Sequence, residues 1–185
     1  MDSSPATFLL SPAHLGGVRG RWLRSARSGG ATAQRLRESG LPIGEAFAFI
    51  SALYFRGKLA YARRFADAAG ARIIAPGFGL VELDWPLDPD RVRRMHAVGV
   101  DVRRRAYCQP LAEAAAALGD ERIVLLGSLA TGKYLDVLAP VLGERLLFPR
   151  VFVGMGDMRR GSILLRAAKR GEELEYAPFA ELARR

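Results

Sequence analysis

Short apolar segments that alternate with helical patterns are the feature that most constrains the fold of this chain. Residues 7–11, 71–76 and 145–149 are apolar runs bounded by polar residues, Gly or Pro, as is typical of buried strands. Residues 123–138 begin with such a strand and continue as a helix. A chain of 185 residues that is 50% hydrophobic can build one substantial core. We therefore predict a single α/β domain, residues 1–185, with a mixed or mostly parallel sheet flanked by helices.

Helical patterns fill most of the sequence between these strands. Residues 38–70 carry an aromatic face and predict two consecutive helices or one broken helix, with the break at Arg56, Gly57 and Lys58. Residues 12–30 are rich in Gly and Arg and predict a basic surface loop, or a short helix within one. Further helices are predicted at residues 88–99 (capped by Asp88 or Asp90), 111–118, 129–141 and 159–170.

The loops that follow the strands are the expected place for a ligand. In open α/β sheets, ligands bind beyond the carboxyl ends of the strands, where helix N-termini offer free amide groups to anions. The loop at residues 127–133 contains G-x-x-x-x-G-K, part of a phosphate-loop pattern, but Tyr134 stands where the pattern needs a magnesium-binding Ser or Thr. The alternative is a plain strand and helix with Ser128 or Thr131 as the N-cap. The preference of ligands for the carboxyl ends of strands selects three loops, at residues 11–24, 77–84 and 127–133.

The charge of the chain indicates a class of partner. Its net charge is +9 and its pI is about 10.5, so its field attracts nucleic acid, nucleotides or an anionic membrane surface. Three of the 28 basic residues are lysines, so 25 are arginines, and this bias also fits a GC-rich genome. The run at residues 103–105 also fits a solvated surface. The candidate contacts to nucleic-acid phosphates are Arg19, Arg21, Arg24, Arg103, Arg104 and Arg105.

Other classes of protein are disfavoured by what the sequence lacks. Cys108 is the one cysteine, so no intrachain disulfide can form, and with only His14 and His96 beside it no His and Cys metal cluster can be assembled. The longest apolar run, residues 46–55, is about half the length that spans a bilayer. The N-terminus has no basic start of an export signal. We therefore predict a cytoplasmic protein without a metal, a cofactor or a membrane partner.

Five short segments, taken in order, resemble the YaaA family of bacterial peroxide-stress proteins. They are similar to its ISPAK-type opening and to its F-x-G-x-x-Y, SGLYG-x-L-x-P, N-L-A-S-x-E-Y-F and A-R-G-x-M-A-R-F segments. Together they extend from Phe8 to about Arg170, so the chain resembles a short, divergent member of this family. The segments are FLLSPAHL, ALYFRGKLAYA, PGFGLVELDWPL, GSLATGKYLDVL and MRRGSILLRAAKRG.

The resemblance carries expectations about function. It places Ser128 and Tyr134 on recurring positions and Lys133 on a variable one, which argues against the phosphate-loop interpretation. YaaA-like proteins are associated with DNA binding and oxidative-stress resistance, and a similar domain is found in archaeosine synthase, which acts on a modified guanine in tRNA. The resemblance therefore implies nucleic acid, a nucleotide or a nucleobase as the ligand.

Two functional hypotheses follow, and they use different residues. In the first, the basic loops bind the phosphates of a polynucleotide. In the second, the chain is an enzyme acting on a nucleobase, nucleoside or nucleotide, by glycosidic cleavage or base modification, with no stable polynucleotide binding. In this enzyme Lys58 or Tyr134 transfers a proton, provided that the lysine pKa is lowered towards neutrality.

The remaining candidates would bind or orient the ligand. Ser11 joins Lys58 and Tyr134 as a catalytic candidate, and with Ser128 it would orient the ligand at the strand ends. The other ligand-binding candidates are Tyr54, Arg56, Asp157 and Arg160, of which the two arginines would hold an anion. The alternative is structural: Arg160 pairs with Asp157 or Glu82, and the tyrosines are packed aromatics with satisfied hydroxyls.

Overall fold

A six-stranded mixed sheet forms the centre of the molecule, and the computed structural model of the protein describes residues 6–27, 30–66, 70–128 and 132–182. The strands are β1 (Ala6–Leu10), β2 (Leu41–Pro42), β3 (Ala71–Ala75), β4 (Gly79–Glu82), β5 (Pro86–Leu87), β6 (Arg122–Leu126), β7 (Leu146–Pro149) and β8 (Tyr176–Pro178). The main sheet has the order β4-β3-β1-β6-β7-β8, and β2 pairs with β5 separately. The four inner strands are parallel, while β4 and β8 run antiparallel at the edges.

Helices cover both faces of this sheet. They are α1 (Val18–Arg24), α2 (Gly30–Ser39), α3 (Ile43–Phe65), α4 (Pro89–Val98), α5 (Arg105–Ala116), α6 (Leu135–Leu142), α7 (Asp157–Arg170) and α8 (Phe179–Leu182). Phe8 and Leu10 of β1 pack in the core cluster that includes residues of α3 and α7. Leu9, between them, points into the second cluster, which includes residues of α5 and α6. Because β1 is buried on both faces, its sequence is apolar except for Thr7, without the alternation of a half-exposed strand.

The predicted α/β class, with its mostly parallel sheet, is confirmed, and several local predictions are corrected. The first two predicted strands end one residue earlier, so Ser11 and Pro76 lie just beyond β1 and β3. The predicted loop at residues 77–84 contains β4, because the glycines there form a hairpin instead of an open loop. The N-cap of α4 is Asp88, whose side chain accepts a hydrogen bond from the Arg91 backbone at 2.8 Å.

The helix after β6 starts later than the sequence predicts. Tyr134 is the N-cap of α6, so the prediction of Ser128 as the cap is wrong, and Thr131 lies outside the described residues. Residues 132–134 form a turn directly before the first helical residue, Leu135. Helix α7 begins at Asp157, two residues before the predicted start, and α2 was not predicted at all.

The long helix α3 is broken, but not where the sequence predicts. The break is at Ala52, which has φ 46° and ψ −115°, a conformation that L-residues rarely adopt. The predicted break at Arg56, Gly57 and Lys58 is wrong, since all three residues lie within the helix. Gly57 has a different role, which is to let a second helix approach.

Helices α3 and α7 touch backbone to backbone at a pair of glycines. A Cβ added at Gly57 would lie 2.6 Å from the carbonyl oxygen of Gly161, and a Cβ added at Gly161 would lie 2.8 Å from the Cα of Tyr54. No side chain fits at either position without moving a helix. The crossing therefore sets the distance between Tyr54 and Lys58 on α3 and Asp157 and Arg160 on α7.

Replacing Gly161 by Ala should destabilise the protein. The clash with rigid backbone costs about 1–3 kcal/mol, more than the gain of at most about 1 kcal/mol in helix propensity. Chemical denaturation of Gly161→Ala should show the loss. Gly156→Ala is the matched control, because a Cβ there meets nothing within 4 Å. Equal stability of the two variants would contradict the close crossing.

Candidate functional site

A cavity of about 600 Å³ opens at the carboxyl edge of the parallel strands. Ser11 after β1, Pro76 after β3 and Ser128 after β6 lie in its wall. Residues 11–16 and Lys133 come from two of the three loops that the sequence selects, whereas residues 77–84 take no part in the wall. The remaining wall is formed by Ser51, Tyr54, Met95, His96, Gly99, Val100, Tyr134 and Asp157.

Lys58 lies directly behind this wall and is almost fully buried, with 1% of its surface exposed. Its Nζ donates to the backbone oxygen of Ser11 at 2.6 Å and to Ser11 Oγ at 2.9 Å. The ammonium group also lies over the ring of Tyr54, 4.4 Å from the centroid, and 4.8 Å from the ring centroid of Phe55. These contacts hold one amine against the cavity residue Ser11.

The environment of Lys58 disfavours its charged form. Burial lowers the pKa of the Lys58 ammonium to about 7, because the charge loses its water shell. The positive charge of Arg160 lowers this pKa further, and the negative charge of Asp157 opposes both effects. A lysine with this pKa exchanges its proton near neutral pH, as the enzyme hypothesis requires.

Arg160 is a second buried cation beside the cavity, with 4% of its surface exposed. Its two Nη atoms make long hydrogen bonds of 3.4 Å, to Asp157 Oδ1 and to the Phe152 carbonyl. Arg160 Nε and the Tyr54 hydroxyl are buried, and neither makes a hydrogen bond of normal geometry to another described residue, although the Arg160 guanidinium lies close to the Tyr54 hydroxyl. Burial raises the pKa of the Tyr54 hydroxyl, and the charge of Arg160 opposes that shift. Buried polar atoms of this kind are normally satisfied, so both are candidates for contact with a ligand.

Tyr134 faces Ser11 from the start of α6. Burial raises the pKa of its hydroxyl to about 12, and a hydrogen bond with the Ser11 side chain opposes the shift. The hydroxyl therefore keeps its proton at neutral pH. The preceding turn is held by Tyr107, whose hydroxyl donates to the Lys133 carbonyl at 2.7 Å.

The outer wall of the cavity is basic. His14 and His96 are exposed residues of the wall, and Lys133 lies in it as well. The pKa of His96 is lowered by partial burial and by the charges of Arg24 and His14. The entrance is thus lined by nitrogen donors and cations that an anionic ligand can meet.

The structure brings most of the predicted site residues together. Ser11, Tyr54, Ser128, Tyr134 and Asp157 lie in the cavity wall, and Lys58 and Arg160 lie directly behind it. Arg56 is exposed outside the wall, where its Nε donates to the Ala52 carbonyl at 3.3 Å. The structural alternative was that Arg160 pairs with Asp157 or Glu82. Arg160 does pair with Asp157, at 3.4 Å, whereas Glu82 pairs with Arg72 at 3.7 Å.

The six arginines predicted to bind nucleic acid lie on two surface segments. Arg19 and Arg21 are exposed on α1 and Arg24 is half-buried, and Arg19 donates to the Phe49 carbonyl at 3.0 Å. Arg103 makes two hydrogen bonds of 2.9 Å to Asp101. Arg104 donates to the Ala97 and Val98 carbonyls, and Arg105 donates to Gln109 at 2.9 Å. The run at residues 103–105 is exposed but already has intramolecular partners.

Sequence reasoning missed part of the cavity wall. Ser51 and His96 were not singled out as ligand contacts, because each lies in a helix whose pattern is otherwise amphipathic. Ser51 reaches the wall next to the helix break at Ala52, which no glycine or proline marks in the sequence. His96 lies near the C-terminus of α4, and its place beside the strand ends depends on tertiary packing alone.

Among the described residues, no group of three or more His, Cys, Asp or Glu is placed to hold a metal ion. Within the same ranges, every helix is too short or too polar to pass through a lipid bilayer.

Comparison with known proteins gives no relative from which a function could be transferred. No protein-family model matches the chain, and neither a curated protein nor a solved structure matches it. Interpretation of the site therefore depends on its own geometry.

Lys58→Met should change how the stability depends on pH. The pKa of Lys58 is about 7 in the folded protein and 10.5 in the unfolded chain. Below pH 7 the native state bears the whole cost of burying the charge. This cost decreases as pH rises from 7 to about 10.5, because folded Lys58 is then neutral. The stability of Lys58→Met relative to the natural chain should therefore fall as pH rises through this window, by at most about 1.4 kcal/mol per pH unit. Urea denaturation at pH 6.5, 8 and 9.5 measures it.

Lys169→Met is the control, because Lys169 is exposed on α7. Its stability relative to the natural chain should stay nearly constant with pH. If the stability of Lys58→Met relative to the natural chain is equally constant with pH, the pKa of Lys58 is not lowered.

Proposed function

We propose that the cavity binds an anionic ligand of nucleotide size, and that the chain is a nucleic-acid or nucleotide-binding protein. The observation that carries the proposal is the burial of two cationic side chains, Lys58 and Arg160, directly behind one wall of the cavity. Cations are rarely buried in proteins unless a partner or a function requires them.

Among the described residues, a single carboxylate acts on these two cations. Asp157 is the carboxylate that Arg160 contacts, and its side chain is 67% exposed, so water screens much of its charge. An anionic group placed beside Tyr54 and Arg160 could accept hydrogen bonds from the Tyr54 hydroxyl and from Arg160 Nε, neither of which has a partner of normal geometry. A guanidinium group suits phosphate in particular, because several of its N–H groups can donate to the phosphate oxygens.

The size and entrance of the cavity support the same ligand class. A volume of about 600 Å³ lies within the range of about 300–1,000 Å³ that small-molecule sites occupy. His14, His96 and Lys133 offer donors for the sugar or the base. The net charge of +9 and the resemblance to YaaA-like proteins agree with this proposal. DNA binding, a role in oxidative-stress protection and a cytoplasmic location belong to the same proposal.

Arg160→Met should weaken nucleotide binding at least about tenfold, because it removes the charged donor directly behind the cavity wall. The probes are AMP, GMP, CMP, UMP and inorganic phosphate, measured by calorimetry and by the rise in thermal midpoint. A ligand at 100 times its Kd stabilises the fold by about 2.7 kcal/mol, which a thermal scan detects.

Arg159→Met is the matched control, since Arg159 is the next residue on α7 and is exposed. It should bind these probes as the natural chain does. If none of them binds at millimolar concentration, or if the two variants lose affinity equally, the proposed site is wrong.

A polynucleotide is the second candidate, and the position of the arginines favours it. Arg24 lies close enough to His96 to lower the pKa of that histidine. Arg104 donates to the Val98 carbonyl at the end of α4. His96 of this helix and its C-cap, Gly99, lie in the cavity wall. A single strand passing the entrance could place phosphates on these arginines and an unstacked base in the cavity.

Binding of a labelled single-stranded DNA should then fall steeply with salt, by roughly one power of salt concentration per phosphate neutralised. Fluorescence anisotropy across a salt series measures the slope, and the variant Arg19→Ala/Arg21→Ala/Arg24→Ala should lower it by about two to three. An excess of unlabelled tRNA tests whether RNA competes. A slope near zero, or an unchanged slope in the triple variant, would leave only the small ligand.

Catalysis on a nucleobase, nucleoside or nucleotide, by glycosidic cleavage or base modification, is the enzymatic form of the proposal. It is favoured by the Lys58 pKa of about 7, which suits a group that gives and takes a proton near neutral pH.

A further inference from the structure

The hydroxyl group of Ser11 occupies an unusual position at the cavity wall. Its Oγ donates to the Leu126 carbonyl at 3.2 Å and accepts from Lys58 Nζ at 2.9 Å. Ser11 itself is 4% exposed and yet lies in the wall of the cavity, so the small surface that remains faces the ligand space. Ser11 is thus both in contact with a buried amine and accessible to a ligand.

Lys58 is held in a fixed orientation relative to this hydroxyl. The Lys58 Nζ donates a hydrogen bond to the Ser11 carbonyl at 2.6 Å, which keeps the nitrogen within hydrogen-bonding distance of Ser11 Oγ. The rings of Tyr54 and Phe55 pack around this nitrogen. A serine hydroxyl rotates freely about its C–O bond, so its proton can turn from the Leu126 carbonyl to a neutral amine. A serine activated by an adjacent lysine is an established arrangement for a nucleophile.

Tyr134 completes the group from the other side. Its hydroxyl lies close enough to the Ser11 side chain for a hydrogen bond to lower its pKa, and Tyr134 is the N-cap of α6 in the cavity wall. Because burial keeps the proton on this hydroxyl at neutral pH, it can donate a hydrogen bond to an oxygen that becomes negative next to Ser11.

We propose that Ser11 is a nucleophile for acyl transfer, with Lys58 as its general base and Tyr134 as the donor to the carbonyl oxygen. The substrate class is an activated acyl compound, such as an ester, thioester or mixed anhydride. This activity goes beyond the proposed binding and does not require the ligand to be a nucleotide.

The step balances with groups at the site and with water. Ser11 Oγ forms a bond to the acyl carbon while its proton passes to Lys58 Nζ, and the carbonyl π electrons move onto the oxygen that Tyr134 contacts. The carbonyl re-forms, the bond to the leaving group breaks, and the leaving group takes the proton from Lys58. Water then attacks the acyl-serine and loses a proton to Lys58. The bond from the acyl carbon to Ser11 Oγ breaks, Oγ takes that proton from Lys58, and the carboxylic acid is released.

The charged and titratable groups around Lys58 determine when it is neutral. Tyr54 faces it from the same helix, Asp157 and Arg160 from α7, and Ser11 from the cavity side, with Tyr134 next to Ser11. Tyr54 and Tyr134 both stay protonated at neutral pH, since burial raises the pKa of each hydroxyl. Lys58 is therefore the group of this set that loses a proton as pH passes about 7.

A fluorophosphonate probe tests the proposal on the full chain. The serine oxygen displaces fluoride from phosphorus, and intact mass spectrometry followed by peptide mapping locates the adduct. We expect labelling at Ser11 with a rate that rises between pH 6 and 8. Lys58→Met should slow it at least about a hundredfold, and Tyr134→Phe at least about tenfold. The acyl form of the reaction is followed as release of p-nitrophenol from p-nitrophenyl acetate, which Ser11→Ala should abolish.

Ser39→Ala and Lys169→Met are the controls, because both residues are exposed and neither lies in the cavity wall. Each should label at the natural rate. The pH profile is measured on the unaltered chain, so it decides the question even if Lys58→Met does not fold. Absence of an adduct at Ser11, or a Ser11 labelling rate that is constant between pH 6 and 8, would overturn the proposal.

Discussion

The close contact of α3 with α7 at Gly57 and Gly161 is the constraint on which the candidate site depends. Each glycine takes a place where a Cβ would lie within 3 Å of the opposite backbone, so the helix axes cannot shift without separating the pair. Tyr54 and Lys58 lie within one turn of Gly57, and Arg160 precedes Gly161 directly. The same packing that stabilises this face of the sheet therefore brings two cations and a tyrosine hydroxyl behind one wall.

This arrangement works against stability locally. Removing the charge of Lys58 or Arg160 from water costs several kcal/mol, and two like charges near each other add to that penalty. Hydrogen bonds to Ser11 and the ring of Tyr54 offset part of it for Lys58, and Asp157 offsets part of it for Arg160. A core made of apolar side chains would need none of this compensation, which is the physical reason to treat the site as functional.

The sequence predicts the sheet well because buried parallel strands are apolar on both faces, as the segments that became β1, β3 and β6 are. The sequence also indicates Lys58, Tyr134 and Arg160 as candidate site residues, because they are polar residues in apolar surroundings or at the ends of strands. The break in α3 was misplaced because glycine signals either a bend or a close approach, and the sequence does not distinguish the two at Gly57. The real break, at Ala52, is imposed by tertiary packing on a residue with strong helix propensity.

The two uses proposed for the wall place opposite demands on Lys58. An anion close to its ammonium would raise the lysine pKa and suppress the neutral form that can accept the Ser11 proton. Arg160 has no proton-transfer role in the proposed chemistry, so its guanidinium group can hold an anion in place of Lys58. The two uses are compatible if the anionic group lies on the side of Arg160 that faces away from Lys58 and the reacting carbon lies next to Ser11. Asp157, whose charge opposes the fall in the Lys58 pKa, then links the two ends of the cavity wall.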